Sequence, residues 1–225
     1  MRLIVTGSLG HIGKSLTKEL VEKGQTVTVI SSNSEKQKDI EVLGATAAIG
    51  SLEDVDFLAT TFADKDAAFV MIPPNFGEPN QIEYYRRIGN NYAQAIQRSG
   101  VKHIVHLSSY GADLERGTGF ILGSHNVESI LNELSGVAIT HLRAMYFYYN
   151  LYHFSDMIKK IGAIGSNYGG EDRLVMVDPK DIAIAAAEEL GKTAIGKKKC
   201  AMWQVTSIPP AKLQRCWVLP LANQI

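Results

Sequence analysis

The sequence predicts an α/β protein with a doubly wound parallel sheet. Short apolar runs rich in β-branched residues alternate with longer stretches of helical periodicity, and a glycine-rich turn joins the first run to the first helix. Strand–helix–strand units of this kind build a parallel sheet through right-handed crossovers. Ligands of such sheets bind beyond the carboxyl ends of the strands, where the strand order reverses. We therefore expect the functional residues in the turns that follow the strands.

The elements follow in order along residues 1–150, which we predict to form one domain. The predicted strands, expected to be buried on both faces, are Leu3–Thr6, Thr26–Ile30, Ala45–Ile49, Ala67–Ile72, His103–Leu107 and Ala138–Leu142. The predicted helices are Ile12–Lys23, Leu52–Phe62, Gln81–Ser99 and Asn126–Leu134. Beyond Asn150 the alternation loosens, with helical patterns at Phe154–Lys160 and Asp181–Leu190, a glycine-rich region to Gly170 and an apolar run at Leu174–Val177.

The bulk composition favours small-molecule partners. Lys+Arg and Asp+Glu are both 23, so no net field draws the chain toward nucleic acid or an anionic membrane surface. The chain starts with a strand-like run, without a signal peptide or bilayer-crossing segment, so the expected compartment is the cytoplasm. The two cysteines, Cys200 and Cys216, lack metal-ligand spacing, and no metal site is expected.

The strongest motif is the glycine-rich turn at Thr6–Gly13, which reads TGSLGHIG between the first strand and the first helix. Gly7 permits a tight turn, Gly10 lets the backbone approach a pyrophosphate, and Gly13 allows close packing of helix on strand. Free N–H groups at the helix start attract phosphate. The context predicts a Rossmann-type site for NAD(P)(H), with these cofactor-binding residues: Gly7, Ser8, Leu9, Gly10, His11, Ile12 and Gly13.

The GxxGxxG spacing is accompanied by three further segments, Val105–Gly111 (VHLSSYG), His141–Asn150 (HLRAMYFYYN) and Val175–Ala183 (VMVDPKDIA). Together they resemble the NmrA-like family of atypical short-chain dehydrogenases/reductases, and most closely its NAD(P)H:quinone oxidoreductase or azoreductase-like members. The resemblance runs from Met1 to about Lys199. It implies a Rossmann fold whose residues 151–199 form a small, incomplete substrate lobe. It also implies hydride transfer from NADPH to a quinone-like or azo-like aromatic acceptor.

The cofactor preference is read at the end of the second strand, where a carboxylate would hold the ribose of NAD and repel the extra phosphate of NADP. The chain has Ser31, Ser32 and Asn33 there, with Lys36 or Lys38 one helical turn on. Hydroxyl, amide and ammonium donors suit a 2′-phosphate. The sequence therefore predicts NADP(H), with NAD(H) as the other candidate. Alternatively, these residues cap the next helix.

The ends of later strands supply the remaining predicted contacts. By the resemblance, two loops flank the nicotinamide, namely Ile72, Pro73, Pro74 and Ser108, Ser109. Asn75 and Phe76 are predicted to cover the other side of the cofactor and to meet the substrate. Ordinary turn chemistry is the alternative for the two serines. Tyr146 and Tyr149, in an aromatic run after the sixth strand, are predicted to stack on a flat acceptor, although such a run can simply pack the core.

The proton donor has no clear motif. Orthodox members of the superfamily use a Tyr-x-x-x-Lys pair, but the residue four positions after Tyr110 is Leu114. Tyr110 and His125 are the catalytic candidates, and His125 could donate a proton near neutral pH. The alternative is that His125 caps a helix or lies on the surface.

The tail, residues 200–225, differs in composition from the rest. It contains both cysteines, both tryptophans and three of the seven prolines, but none of the 23 acidic residues. Read with each codon starting one base earlier, Met202-Trp203 forces valine and Trp203-Gln204 forces alanine, and the free bases allow V-R-Y-V-A-S-D, a strand-like run. We hypothesise a frameshift near Lys199. A divergent genuine tail is the alternative.

Three functions remain open from the sequence. The leading one is the oxidoreductase described above. The second is a regulator that binds NAD(P) without turnover, which suits the missing Tyr-Lys pair. The third is a truncated family member that keeps only cofactor binding. The oligomeric state is not predicted.

Overall fold

The structure, a computed structural model, describes residues 1–165, 174–192, 198–203 and 206–208. The strands in these ranges are β1 (Arg2–Val5), β2 (Thr26–Ser31), β3 (Thr46–Ile49), β4 (Ala67–Val70), β5 (His103–Ser109), β6 (Ala138–Ala144), β7 (Tyr146–Phe147), β8 (Leu174–Val177), β9 (Lys198–Trp203) and β10 (Thr206–Ile208). The α-helices are α1 (Gly13–Glu22), α2 (Gln37–Val42), α3 (Val55–Phe62), α4 (Gln81–Ser99), α5 (Leu122–Asn132), α6 (Ser155–Ile161) and α7 (Pro179–Leu190).

The main sheet has seven parallel strands in the order β3-β2-β1-β4-β5-β6-β9. The chain runs outward from β1 to β3 on one side and returns to β4 on the other, so the order reverses between β1 and β4. This arrangement confirms the predicted doubly wound Rossmann-type fold. It also places the carboxyl ends of β1, β2, β4, β5 and β6 along one edge of the sheet.

The central strands are buried on both faces because helices cover the sheet on each side. Every residue of β4 is buried, as are three of the four residues of β1. The prediction of two buried faces was wrong for the third strand, since Thr46 and Ile49 of β3 are exposed. β3 is an edge strand, which explains the difference.

Two hydrophobic cores lie on opposite faces of the sheet. Side chains of α1 and α7 fill one, including Leu16, Leu20 and Ile182. Side chains of α3, α4 and α5 fill the other, including Leu58 and Ile88. Since α7 packs against α1 and β9 pairs with β6, parts of the chain after residue 150 belong to the main fold.

Helix α5 begins four residues before its predicted start. No side-chain hydrogen bond caps its first turn, so the usual sequence signal is missing. Gly123 lies in this first turn, where an added Cβ would be 2.9 Å from Cβ of Tyr85 on α4. A glycine, normally unfavourable in a helix, is therefore explained by close packing of α5 on α4.

A second, three-stranded sheet has the order β10-β8-β7, in which β8 is antiparallel to β10 and parallel to β7. Leu151 and Met176 form a small buried cluster beside it. Most of the tail discussed above, including Cys216 and Trp217, lies outside the described residues. Within the described ranges, no helix has both the length and the apolar character needed to span a bilayer.

Candidate cofactor site

The glycine-rich turn has a backbone that only glycine fits at two positions. Gly7 has a φ of +89°, and a Cβ there would lie 2.5 Å from Sδ of Met71. At Gly13, a Cβ would lie 2.1 Å from the carbonyl oxygen of Ser8. Ser8 itself has a φ of 55°, in the left-handed region that costs a non-glycine residue energy. The turn is thus tightly folded against the start of α1.

The same turn leaves backbone donors available to a ligand. Among the described residues, the N–H groups of Leu9, His11 and Ile12 donate to no protein acceptor. No acidic side chain lies in the first turn of α1. A helix start with free N–H groups favours anions. A Cβ at Gly10 would meet only the Gly7 carbonyl oxygen, at 3.4 Å, so its outer side is open. These features fit the pyrophosphate of a nicotinamide dinucleotide.

A buried hydrogen-bond cluster supports the turn from below. The hydroxyl of Tyr92, on α4, donates to the Met71 carbonyl at 2.8 Å and lies 3.1 Å from Oγ1 of Thr6. The Met71 N–H donates to that Thr6 oxygen at 2.8 Å. Burial raises the pKa of Tyr92, so its phenol stays protonated. Tyr92 was missed by the sequence reasoning, although it belongs to the apolar stripe of α4, which includes Ile88 and Ile96.

The end of β2 is connected to the glycine-rich turn. The Ser8 hydroxyl donates to Oγ of Ser31 at 3.0 Å, and Ser31 in turn donates to the Asn33 carbonyl at 3.2 Å. Ser31 is buried, so its hydroxyl faces the protein, whereas Ser32 and Asn33 are exposed. Asn33 also accepts from the Glu35 N–H, so the capping alternative is present in the structure.

Lys36 is exposed, and its ammonium lies 3.2 Å from Asp39. An exposed pair of this type is weak, so this ammonium can reorient toward an incoming phosphate.

The loop after β4 runs outward. Ile72 is buried, and its carbonyl accepts a hydrogen bond from the Tyr85 hydroxyl at 3.2 Å. Pro73 is half-buried and Pro74 exposed. The side chain of Asn75 accepts from the Gly77 N–H, which closes a tight turn, and the Phe76 side chain is 91% exposed.

The end of β5 carries the two predicted serines in different environments. Ser108 is buried, and its hydroxyl donates to Oε1 of Glu128 at 2.5 Å. Ser109 is half-buried and donates to the Tyr110 carbonyl at 3.2 Å. The Ser108 hydroxyl therefore donates its proton to the Glu128 carboxylate, while the Ser109 hydroxyl makes a longer hydrogen bond to a backbone carbonyl.

Glu128 is held by Arg143, from β6, through a two-point ion pair. Nε of Arg143 lies 2.9 Å from Oε1, and Nη2 lies 2.6 Å from Oε2. The hydrogen bonds to Glu128 raise the pKa of Arg143, so this guanidinium remains charged. The sequence reasoning missed this pair, because nothing in the spacing of the two residues links α5 to β6.

The two catalytic candidates both follow β5. Tyr110 is 56% exposed. His125 lies within α5, one turn from its start, and its Nδ1 is 2.9 Å from the Ala112 carbonyl oxygen. A carbonyl only accepts, so Nδ1 carries the proton and the neutral ring leaves Nε2 as an acceptor. His125 can then act as an acid only in its doubly protonated form.

The aromatic run after β6 reaches the glycine-rich turn. The rings of Tyr149 and His11 are stacked, with centroids 4.1 Å apart and planes at 20°. Tyr149 also stacks with Phe147, at 5.3 Å and 14°. Tyr146 is half-buried and packs against the Leu151 cluster of the second sheet. The run thus divides between a small core and the predicted cofactor turn.

Two buried histidines lie below the site, on β5 and β6. Nδ1 of His106 is 2.9 Å from Nδ1 of His141, and Nε2 of His141 is 3.1 Å from Oδ1 of Asn132. With both rings neutral, Nε2 of His141 donates to Asn132, so its Nδ1 accepts from Nδ1 of His106. Burial lowers the pKa of His141 to about 4 and that of His106 well below its usual range.

Several known proteins are similar to this chain in sequence or in fold. The chain is 26% identical over 192 residues to an NAD(P)H azoreductase from Xenophilus azovorans, and the match covers 84% of this chain but 63% of that protein. An NADPH-dependent quinone oxidoreductase from Escherichia coli, solved with NADPH, has a TM-score of 0.81 at 18% identity, covering 98% of this chain and 75% of the other. A Citrobacter triphenylmethane reductase solved with NADP(H) has a TM-score of 0.79 at 20% identity, covering 95% and 73%.

The family profile described as NAD(P)H-binding matches residues 7–148, which is more than half of the chain. The matched region begins at Gly7 and ends in the aromatic run. It thus contains Gly7–Gly13 and every other candidate residue except Tyr149. The predicted NAD(P)H cofactor is confirmed at this level, and the chain belongs to the NAD(P)H-binding family.

Proposed function

We propose that this protein is an NADPH-dependent oxidoreductase that reduces a flat aromatic acceptor of quinone-like or azo-like type. The observation that carries the proposal is the glycine-rich turn, whose geometry suits a pyrophosphate, together with exposed aromatic residues in the segments that follow β4 and β5. Phe76, Tyr110 and Phe120 are 91%, 56% and 68% exposed, and they follow the adjacent strands β4 and β5. Exposed aromatic groups beside a cofactor site suit an acceptor that stacks.

The cofactor, when bound, supplies the hydride, and the chain has to position the reactants. The turn at Gly7–Gly13 would hold the pyrophosphate, and the loops at Ile72–Pro74 and Ser108–Ser109 would flank the nicotinamide. Since Ser108 donates to Glu128, it can only accept from a ligand, whereas the Ser109 hydroxyl can turn outward to donate. Tyr110 and the imidazolium of His125 are the proposed proton sources.

The preference for NADPH over NADH is part of the proposal. β2 ends on Ser31, which supplies no carboxylate to repel a 2′-phosphate, and Ser32, Asn33 and Lys36 are exposed beyond it. The test is a fluorescence titration of Ser32→Asp with both dinucleotides. The new carboxylate should weaken NADPH binding at least tenfold and leave NADH binding nearly unchanged. Equal losses for both dinucleotides would contradict the preference.

The activity itself is tested by NADPH oxidation with a panel of quinones and azo dyes. Turnover with at least one acceptor supports the proposal, and Phe76→Ala should raise the KM for that acceptor more than it lowers kcat. Matched binding titrations separate the alternatives. Tight NADPH binding without turnover would favour either the regulator that only senses NAD(P) or a truncated family member that keeps only cofactor binding, while no binding by a folded chain would contradict the proposal as a whole.

A further inference from the structure

The stack between His11 and Tyr149 joins two parts of the chain that the proposed function keeps apart. His11 lies in the turn predicted to hold the cofactor, and Tyr149 lies in the run predicted to hold the acceptor. Their ring centroids are 4.1 Å apart. The two rings are therefore in direct contact in the protein without a bound ligand.

Tyr149 is supported on its own side of the contact. Its ring also lies nearly parallel to that of Phe147, whose strand β7 pairs with β8. Phe147 and Val177 are register partners in that small sheet. The second sheet therefore fixes the position from which Tyr149 meets His11.

The other side of the contact is the part of the turn with free donors. The N–H groups of His11 and Ile12 have no protein acceptor among the described residues, while Lys14 begins the helical pattern by donating to Gly10. The hydrogen bond from Lys14 fixes only the peptide between Gly10 and His11, whereas the peptide between His11 and Ile12 has no hydrogen bond among the described residues. Holding the imidazole restricts the backbone beside it, which lowers the entropy lost when these N–H groups meet a ligand.

We infer that Tyr149 is a positioning residue for the cofactor, which acts through His11 to order the glycine-rich turn, rather than a surface for the acceptor. Two near-parallel rings already lie against Tyr149, with centroids 4.1 Å and 5.3 Å away, and an acceptor would have to compete with them for its ring. This inference rests on the proposed function only for the choice of NADPH as the ligand.

The test is an NADPH fluorescence titration of four variants and one control variant. Tyr149→Phe keeps the ring and should bind as the wild type does. Tyr149→Leu and His11→Ala should each weaken binding by about three- to tenfold, the range expected for one aromatic pair. The double variant should bind about as weakly as the weaker single variant, because both changes remove the same contact. Tyr152→Leu, at an exposed tyrosine nearby, is the control and should have no effect.

A second readout needs no ligand. The NMR shift of the His11 Cε1 proton should carry a ring-current displacement in the wild type and in Tyr149→Phe, and lose it in Tyr149→Leu. Because His11 is exposed, His11→Ala should fold normally and must show the loss of affinity.

Three results would overturn the inference: NADPH binding by Tyr149→Leu equal to the wild type with a raised KM for the acceptor, additive losses in the double variant, or an unchanged His11 shift. The proposed oxidoreductase activity is tested separately, by turnover and not by binding. Variants that bind as expected in a protein that turns nothing over would refute only the proposed oxidoreductase activity.

Discussion

Alanine substitutions at Gly13 and Gly10 should separate the two uses of glycine in the cofactor turn. A Cβ at Gly13 would lie 2.1 Å from the Ser8 carbonyl oxygen, about 0.9 Å inside the 3.0 Å that real Cβ contacts respect. Backbone must move to relieve this overlap. Overpacking of this size costs about 1–3 kcal/mol. For a domain of this length, that lowers Tm by about 2–12 °C.

Gly10→Ala should weaken cofactor binding while leaving the thermal stability almost unchanged. Its Cβ would be 3.4 Å from the Gly7 carbonyl oxygen, which requires little adjustment within the chain. The Tm should stay within about 1 °C of the wild type. NADPH binding should nevertheless weaken about tenfold or more, because the methyl group occupies the side from which a pyrophosphate approaches.

Thermal unfolding by circular dichroism, paired with NADPH titration, measures both effects. Gly191→Ala is the matched control, since φ at Gly191 is −77° and the nearest atom to a Cβ is 3.5 Å away. It should change neither quantity. An unchanged Tm in Gly13→Ala would refute the packing argument. Normal binding by Gly10→Ala would refute the placement of the pyrophosphate.

Two further predictions concern the polar groups buried below the site. A histidine whose folded pKa is depressed binds fewer protons in the folded than in the unfolded chain, so its stabilising contribution is present above the unfolded pKa of about 6.5 and is lost as the pH falls toward the folded value. With a folded pKa of about 4, His141 alone should cost about 1.4 kcal/mol between pH 7.5 and 5.5. His106 adds to this loss in the same direction, and urea unfolding at the two pH values measures it; equal stability would contradict the neutral pair. Glu128→Gln should lower the stability by about 1–3 kcal/mol, because the half-buried Arg143 guanidinium loses its two-point partner and keeps only the more distant Asp113, at 3.7 Å. A fall in Tm no larger than that of Glu133→Gln, at an exposed position just after the same helix, would show that the pair contributes little.

The sequence was informative where local pattern and tertiary fold agree. The strands at the centre of the sheet are apolar on both faces, so β1 and β4 were predicted to within two residues at their ends. The glycine spacing was equally reliable, because the backbone geometry of the turn depends on residues that are adjacent in the chain. Gln81–Ser99 was predicted with both ends correct, since Asn80 caps its start and Gly100 ends it in the left-handed conformation.

The sequence was poor where a structure depends on distant partners. β9 starts with Lys198 and Lys199, which do not suggest a strand, and it forms because the edge of β6 is available for pairing. The hydrogen bonds among Ser108, Glu128 and Arg143 join β5, α5 and β6, and no local sequence pattern predicts them. The contact between His11 and Tyr149 is of the same kind, because each residue was assigned to a site by its own neighbours in the chain.

The place of β1 in the sheet has a consequence for how the chain can assemble. β1, which precedes the other described strands of this sheet in the chain, lies between β2 and β4, and β9, which follows them, lies at the rim. Folding can therefore proceed outward during synthesis, with each new parallel pairing closing a longer loop than a hairpin would. Changes in β9 fall on the rim, where a strand needs a single neighbour. Damage to residues 2–5 would instead remove the strand on which both halves of the sheet are built.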